Sequence, residues 1–296
     1  MIGFPAAGPQ GAPGEIIPLR LPLPARLFEK RTARLRALAP GHAAGDYLAT
    51  LAALAAAQGH ACRQVPIGPS GPDLSPAVPL SAMDWPRGEA WRDALTVIVA
   101  ETGKASLPGP ARAALARIET MPVVELEAFA DALLAGRYDG IDLAAVPFVG
   151  AALQVYWTAL AAGLAAGAVE RAEHGCPVCG SPPVAAVVLG DDRLRYLNCS
   201  LCAAEWHLTR ITCATCRAAD GISYYSLAGD PGAVKAEACA GCRTYLKLFY
   251  LEKGPGAEAL ADDVATLSLD LLMAEEGYAR GGVNLFLLPG AGTDGS

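Results

Sequence analysis

The first half of the chain carries hydrophobic residues at the spacing of amphipathic helices. Residues 24–39 place four large apolar side chains near one helix face, with Arg and Lys between them: Leu27, Phe28, Leu35 and Leu38. Pro40 ends this helix, and Asp46 is a suitable N-cap for a second helix that continues to about residue 59. Further helices are predicted at residues 89–101, 108–119 and 122–134. The stretch 66–86 is rich in Pro and Gly and predicts a loop.

A long uncharged stretch follows at residues 143–169. It is long enough to span a bilayer, and Gly163 and Gly167 have a spacing that can pack membrane helices. However, Ala and Gly dominate the stretch, polar and aromatic residues interrupt it, and Asp139 and Asp142 precede it instead of basic residues. We therefore predict the buried central helix of a helical domain, with a membrane span as the alternative.

The pattern changes near His174 to short β-prone runs that Gly, Asp and Cys residues separate. These runs predict strands at residues 184–189, 194–197, 205–210, 222–227 and 244–251. A last amphipathic helix is predicted at residues 262–276, with Asp262 and Asp263 at its positive end. Its apolar face would consist of Val264, Leu267, Leu271 and Leu272. The Gly-rich tail from Pro289 predicts a frayed end.

Composition and charge narrow the class of protein. Hydrophobic residues make up 53% of the 296 residues and charged residues 18%, which predicts packed domains and not a disordered chain. The net charge of −7 argues against a broad nucleic-acid-binding surface, because such a surface needs clustered Lys and Arg. The first 14 residues lack the pattern of a secretory signal, so we expect a cytoplasmic protein with reduced thiols.

Eight of the nine cysteines form four Cys-x-x-Cys pairs between Cys176 and Cys242. Two residues between cysteines allow a tight turn to aim both sulfurs at one ion, as in zinc ribbons and rubredoxin-like folds. Tandem pairing predicts one metal site at Cys176, Cys179, Cys199 and Cys202. The second predicted site consists of Cys213, Cys216, Cys239 and Cys242. Within each site, the intervening residues are sufficient for a β-hairpin that brings the two pairs together.

Several alternatives remain open for these pairs. A cross-braced arrangement would join the first pair to the third and the second to the fourth. Disulfides, redox-active dithiols and buried free thiols are the alternatives without metal. A reducing cytosol disfavours disulfides, a redox dithiol is more usually a single pair at a helix start, and eight cysteines in four identical spacings disfavour buried free thiols. Four sulfur ligands suit zinc and iron alike. We therefore predict two bound ions, iron or zinc, each with four cysteine ligands.

The other candidate side chains do not form a recognisable site. Cys62 lies near His60 without a partner at metal-ligand spacing and is predicted to be a structural thiol. His207 is predicted to be a surface or packing residue. His42 and His174 are not accompanied by other candidate ligands or catalytic residues. We find no phosphate-binding Gly-rich loop, no Ser/His/Asp arrangement and no supported carboxylate pair. The sequence therefore predicts no catalytic site.

The fold class that these patterns predict is α+β, with an all-α N-terminal domain, two tandem rubredoxin-like or zinc-ribbon β modules, and a C-terminal helix. The predicted segments are a flexible N-terminal stretch at 1–24, a helical domain at 25–172, Cys₄ modules at 173–210 and 211–254, and a C-terminal helix and tail at 255–296.

The strings around the cysteines resemble the formate dehydrogenase accessory protein FdhE family. They are CPVCGSPPV from Cys176, RYLNCSLCAAEWHLTRITC from Arg195 and VKAEACAGCRTYLKLFYLEK from Val234. The strings LFEKRTARLRALA, GDYLATLAALAAAQ and PFVGAALQVYWTALA in the helical part, and ADDVATLSLDLLMAEEGYARGGVNLFLLPG near the end, are similar too. The resemblance covers nearly the whole chain and is weakest at residues 66–119. One departure is Asn198, where the family is expected to carry histidine; an asparagine amide can still donate to a thiolate.

The resemblance implies a cytoplasmic, non-enzymatic accessory factor for respiratory formate dehydrogenase, which binds the catalytic subunit before export. It also implies rubredoxin-like folds associated with iron. An iron electron carrier acting on the same enzyme is the alternative, because a Cys₄ iron site can pass one electron. A zinc-ribbon nucleic-acid-binding protein is a minor alternative that the negative charge disfavours. We expect no stable membrane insertion.

Overall fold

The computed structural model describes residues 16–68, 77–170, 172–190 and 193–287. The tail from Pro289, most of the predicted flexible stretch 1–24 and part of the predicted loop 66–86 lie outside these residues.

Six helices build the N-terminal part of the described chain. They are α1 (Pro24–Leu38), α2 (Gly45–Gln64), α3 (Ala90–Thr102), α4 (Gly109–Thr120), α5 (Val123–Leu134) and α6 (Val146–Ala162). Each helix was predicted, but α2 continues five residues beyond Gly59. Gly59 does not end α2 because it is buried against α1, where a Cβ atom would lie 3.4 Å from the Cβ of Phe28. The glycine therefore permits close helix packing instead of marking a helix end.

Helix α6 is the central helix of this domain, as its uncharged sequence predicts. Val149, Leu153 and Trp157 on α6 have no exposed surface, and α6 packs against α1, α2, α3 and α5. Within the described residues, no helix combines the length and apolarity needed to cross a bilayer. A short 3₁₀ turn at Ala166–Ala168 follows α6 and leads toward the cysteine-rich part of the chain.

Seven strands from the second half of the chain and one short strand before α1 form one mixed β-sheet. Its strands are β1 (Leu19–Arg20), β2 (Pro183–Leu189), β3 (Leu194–Cys199), β4 (Glu205–His207), β5 (Ile222–Tyr225), β6 (Val234–Cys239), β7 (Thr244–Tyr250) and β8 (Ala279–Arg280). The order across the sheet is β1-β4-β3-β2-β7-β6-β5, and β8 pairs with one end of β7. The predicted strand at 205–210 ends at His207, and strand β6 was not predicted.

The sheet contains the same antiparallel unit twice. Strands β2, β3 and β4 form the first unit, and β5, β6 and β7 form the second. The last strand of the second unit runs parallel to the first strand of the first unit, with Ala186 opposite Leu248 and Val188 opposite Tyr250. The two cysteine modules are therefore joined edge to edge in a continuous sheet.

The predicted C-terminal helix is two helices, α7 (Ala259–Ala265) and α8 (Leu267–Glu275). The helix is interrupted at Thr266, where Nζ of Lys247 donates to the carbonyl groups of Asp263 and Thr266 at 2.8 and 3.1 Å. Asp262 binds Arg34 on α1, and Asp263, which has no exposed surface, pairs with Lys247 on β7. Asp262 lies in the first turn of α7 as expected, and its side chain accepts a hydrogen bond from the Glu258 amide.

The predicted apolar face of the C-terminal helix was wrong for α8. Leu269 and Met273 are the buried residues of α8, whereas Leu267 and Leu271 are exposed. The break at Thr266 changes the direction of the chain, so residues before and after it do not share one face. Val264 on α7 is buried as predicted.

Candidate metal centres

The four cysteine pairs lie at the ends of two β-hairpins. Cys176 and Cys179 precede β2, and Cys199 and Cys202 follow at the end of β3. In the second unit, one pair precedes β5 and the other lies between β6 and β7. Antiparallel pairing places Pro183 opposite Cys199, and Ile222 opposite Cys239, so each hairpin brings two pairs to one end.

The sulfur atoms form two clusters in the tandem arrangement. Site 1 is Cys176, Cys179, Cys199 and Cys202, and site 2 is Cys213, Cys216, Cys239 and Cys242. Within each cluster all four Sγ atoms lie within 4.8 Å of one another. The cross-braced alternative does not occur, because each hairpin closes on its own two pairs.

The distances between sulfurs fit a bound ion better than a disulfide. In site 1, Sγ of Cys176 lies 3.6 Å from Sγ of Cys202, and Sγ of Cys179 lies 3.4 Å from Sγ of Cys199. The corresponding distances in site 2 are 3.6 and 3.7 Å. A disulfide needs about 2.05 Å. Four sulfurs placed tetrahedrally at about 2.3 Å from an ion would be about 3.8 Å apart. The donor sets therefore suit Cys₄ coordination.

Each pair forms a tight turn that we call a knuckle, and the backbone of all four knuckles bends in the same way. The residue after the second cysteine has a positive φ angle: Gly180, Ala203, Arg217 and Arg243. Only the first of these residues is glycine, so the other three adopt a conformation that L-residues rarely take. Such strained residues persist where the surrounding structure fixes them, as at binding sites.

Backbone N–H groups of the knuckles point at the sulfurs. In site 1, the amides of Leu201 and Cys202 donate to Sγ of Cys199 at 3.3 and 3.4 Å. In site 2, the amides of Thr215 and Cys216 donate to Sγ of Cys213, both at 3.4 Å. Because these donors favour a negatively charged sulfur, the local backbone is arranged for thiolates.

Four buried thiols cannot all ionise without a cation. Burial raises the pKa of Cys176 and of Cys202 well above the usual value for a thiol. Burial acts in the same direction on Cys179, but hydrogen bonds from the other three cysteines lower its pKa. Without a cation, burial therefore favours the protonated form of Cys176 and of Cys202. A coordinating cation would deprotonate all four.

Site 1 is sealed inside the protein by the helical domain. None of its cysteines is more than 1% exposed. The amides of Leu80 and Ala82 donate to the carbonyl groups of Val178 and Cys179, each at 2.9 Å, and so hold the segment before α3 against the first knuckle. On the other side, Nε2 of Gln154 on α6 donates to the carbonyl of Ser200 at 2.9 Å. Site 1 therefore shares one hydrophobic core with α1 to α6.

Site 2 is open to solvent. Cys216 is exposed and Cys242 is partly exposed, whereas Cys213 and Cys239 are buried. Two hydroxyl groups lie beside it, because Oγ1 of Thr244 is 3.0 Å from Sγ of Cys242 and donates to Oγ1 of Thr215 at 3.1 Å. Burial tends to raise the pKa of Cys242, but hydrogen bonds from Thr244 and neighbouring thiols lower it to about 7.

This difference in burial predicts that the two sites lose metal at different rates. Site 2 can release an ion by local movement of an exposed knuckle, whereas site 1 needs opening of the shared core. We expect a chelator that reports released metal to show two phases of equal amplitude, separated in rate by about tenfold or more. The Cys216→Ser variant should lack the fast phase and keep the slow one. A single phase from the wild-type protein would contradict the assignment.

The remaining sequence candidates lie outside the two clusters. Cys62 is half-buried against the core, and burial raises its pKa, which agrees with a structural thiol. His207 on β4 packs edge-on against the ring of Tyr196, and His174 is exposed. Nε2 of His42 lies 2.9 Å from the carbonyl oxygen of Ala265, so this side chain connects the α1–α2 turn with α7.

Asn198 does not take the place of a histidine that donates to a thiolate. Its side-chain amide donates to the carbonyl of Tyr196 at 3.3 Å instead. The roles of Thr244, Thr215 and Gln154 beside the two sites were not predicted. A hydroxyl two residues after a cysteine is a usable signal for both threonines, but Gln154 is 46 residues from the backbone group that it binds.

Comparison with known proteins gives a consistent result along the chain. Sequence models described as "FdhE, N-terminal", "FdhE, central domain" and "FdhE, C-terminal domain" match residues 16–173, 175–210 and 211–287. A protein FdhE homolog of Edwardsiella ictaluri is 42% identical over 294 residues, which cover 95% of this chain and 94% of the relative. A protein FdhE of Escherichia coli O1:K1 / APEC is 40% identical over 293 residues, covering 94% of this chain and 93% of the relative.

A solved structure agrees with these sequence relatives. The crystal structure of the FdhE protein from Pseudomonas aeruginosa superimposes with a TM-score of 0.83 at 39% sequence identity, over 93% of this chain and all of that one. The match includes the helical domain and both cysteine modules in their order along the chain. Together with the two Cys₄ clusters, these similarities show that the chain belongs to the FdhE family.

Proposed function

We propose that this chain is a cytoplasmic accessory factor required for formate dehydrogenase activity, which binds the catalytic subunit before export. Membership of the FdhE family over nearly the full length carries the proposal. The two Cys₄ clusters support it further, because each lies within one of the matches to the central and C-terminal FdhE models. In this proposal the protein is not itself an enzyme and does not bind nucleic acid.

We also propose that the two clusters bind one ion each, iron or zinc. Cys176, Cys179, Cys199 and Cys202 would hold the first ion within residues 173–210, and Cys213, Cys216, Cys239 and Cys242 the second within residues 211–254. Helix α7 packs against strand β2 of the first module and against α1, and α8 contacts β8 beside the second module. A bound ion would supply a fixed positive centre that holds four thiolates and closes each hairpin.

Deletion of the gene tests the accessory role. Formate oxidation in membranes of the deletion strain, grown under conditions that induce respiratory formate dehydrogenase, should fall to background. Expression of the intact chain should restore it, and the catalytic subunit should co-purify with a tagged copy before export. Unchanged formate oxidation in the deletion strain would refute the accessory role. Restored activity without co-purification would refute the direct contact.

An electron-carrier role is the second candidate, and site 2 favours it. Its solvent exposure gives a redox partner access, and the hydroxyl of Thr244 lies 3.0 Å from the sulfur of Cys242, where a hydrogen bond would tune a bound metal. Anaerobically purified protein should then show a visible absorption that bleaches on reduction and returns on oxidation. A colourless, zinc-only protein that fully restores the deletion strain would exclude this role.

A further inference from the structure

A cavity of about 260 Å³ lies where the helical domain, the first cysteine module and the C-terminal part meet. Helix α1 forms one wall, strands β2 to β4 form the floor, and the segment leading into α7 closes the third side. Six polar residues line it: Arg20, Lys30, Arg31, Asn198, Glu205 and Glu258. Cys199 of site 1 also lines the cavity.

Two of the charged residues in the cavity are already paired. Nε and Nη2 of Arg31 donate to one oxygen of Glu258 at 3.2 and 3.1 Å, and the other oxygen of Glu258 accepts from the Ala261 amide at 2.8 Å. Both side chains are almost completely buried. This pair forms a fixed wall and leaves no free charge for a ligand.

Two further cations lack a good acceptor. Lys30 on α1 is exposed and has no hydrogen-bonding partner in the described part of the chain. The guanidinium of Arg20 lies over the ring of Tyr196, and its Nη1 is 3.8 Å from the carboxylate of Glu205. A distance of 3.8 Å is too long for a hydrogen bond. Lys30 and Arg20 therefore line the cavity without a hydrogen-bonded carboxylate among the described residues.

Glu205 is the one further carboxylate that lines the cavity. Burial raises the pKa of Glu205 above its ordinary value and the charge of Glu258 adds to this rise, whereas Arg20 and Lys30 act in the opposite direction. With Arg31 neutralised by Glu258, two cations and one carboxylate remain, which leaves an excess of positive charge. The charge balance therefore favours a negatively charged ligand.

We propose that this cavity binds an oxyanion, the phosphate or carboxylate group of a small ligand, through Lys30 and Arg20. The planar guanidinium suits either group because it donates two parallel hydrogen bonds. The volume admits such a group with a few attached atoms and is slightly below that of a typical small-molecule site.

Bound ligand would lie next to site 1. Nη1 of the buried Arg31 also donates to Oε1 of Gln58 and of Gln154, at 3.5 and 3.4 Å. Gln154 in turn donates to the carbonyl of Ser200, which lies between Cys199 and Cys202 of site 1. A ligand that contacts Arg31 is thus connected through Arg31 and Gln154 to the knuckle formed by Cys199 and Cys202. Its binding should be visible at the amides of Asn198 and Ala203, which belong to residues that line the cavity.

Titration of the full-length protein with inorganic phosphate and with acetate, followed by ¹H–¹⁵N NMR, tests the proposal. At low ionic strength we expect saturable shifts at Asn198 and Ala203 with at least one of the anions. The Lys30→Gln variant should weaken binding by about tenfold, the value of one charge-assisted hydrogen bond. Arg36→Gln is the matched control, because Arg36 lies on the same helix and is exposed outside the cavity.

The outcomes separate specific binding from general attraction. Saturation with phosphate alone assigns a phosphate-bearing ligand, and saturation with acetate alone assigns a carboxylate. Equal weakening by Lys30→Gln and Arg36→Gln would reduce the effect to surface charge and overturn the proposal. Absence of saturable shifts with both anions would overturn it as well. The exposure of Lys30 ensures that its variant keeps the native fold.

Discussion

Replacement of Cys176 with serine is expected to unfold most of the protein. Serine cannot supply a thiolate, so site 1 would lose its ion, and structural Cys₄ sites contribute on the order of 10 kcal/mol of folding free energy. This contribution is comparable with the whole stability of an ordinary domain, about 5 to 15 kcal/mol. Because the site 1 cysteines belong to the same hydrophobic core as α1 to α6, the loss should spread into the helical domain.

Circular dichroism and metal analysis measure this effect. The Cys176→Ser protein should lose its cooperative thermal transition and most of its helical signal, and it should contain at most one ion per chain. Cys216→Ser should also lose one ion but keep the helical signal, since Cys216 is exposed and site 2 lies outside the main core. Cys62→Ser should bind both ions. A Cys176→Ser protein with native melting and two ions would refute Cys₄ coordination at site 1.

Replacement of Glu237 with glutamine is expected to lower the free energy of unfolding by about 3 kcal/mol. Glu237 on β6 pairs with Arg195 on β3, and both side chains are buried. Arg195 also donates to the carbonyls of Thr209 and Thr212 at 2.7 and 2.8 Å, which fixes the connection between the two cysteine modules. Without the carboxylate, the guanidinium would keep its charge in a site that excludes water.

Thermal unfolding of three variants separates the charge from the hydrogen bonds. Glu237→Gln should lower Tm by about 10 °C, since 1 kcal/mol corresponds to about 2–4 °C in a protein of this size. Tyr224→Phe removes the hydroxyl that donates to the second oxygen of Glu237 and keeps the buried ion pair, so it should cost about 1 kcal/mol. The double variant Arg195→Met with Glu237→Leu should recover much of the loss, because no charge remains buried. Equal losses of stability in all three variants would show that the unpaired buried charge of Arg195 is not the cause of the loss.

The features predicted correctly from the sequence are those that depend on neighbouring residues. Helices α1, α4 and α5 start next to prolines and carry regular apolar faces, so local spacing locates them. The grouping of the cysteines is equally local, because each hairpin joins pairs that follow one another along the chain. Tandem pairing could therefore be chosen before the structure was known.

Features that depend on distant residues were missed. Strand β6 has the sequence Val-Lys-Ala-Glu-Ala-Cys, which has little intrinsic preference for a strand, and it forms because β5 and β7 pair with it on both sides. The break between α7 and α8 lies where Lys247 of β7 donates to the backbone carbonyls of Asp263 and Thr266. No periodicity within residues 259–275 contains that information.

Sites 1 and 2 differ for the same reason. Their cysteine spacing is nearly identical, so the sequence gives no ground for treating them differently. The difference in burial arises because Leu80, Ala82 and Gln154 of the helical domain donate hydrogen bonds to the knuckles of site 1. Among the described residues, these three make no such bond to the knuckles of site 2. Burial of a metal site is a property of its neighbours in space.

The parallel pairing of β2 with β7 determines the order in which the sheet is completed on the ribosome. Site 1 can close once Cys202 has been synthesised, since its hairpin needs no later residue. The edge of β2, with Val187 and Val188, then remains unpaired until residues 248–250 emerge. An apolar edge strand without a partner is a site of aggregation. The nascent chain thus carries one closed Cys₄ cluster beside one unprotected strand, and the rate of translation between residues 202 and 250 limits how long that strand stays exposed.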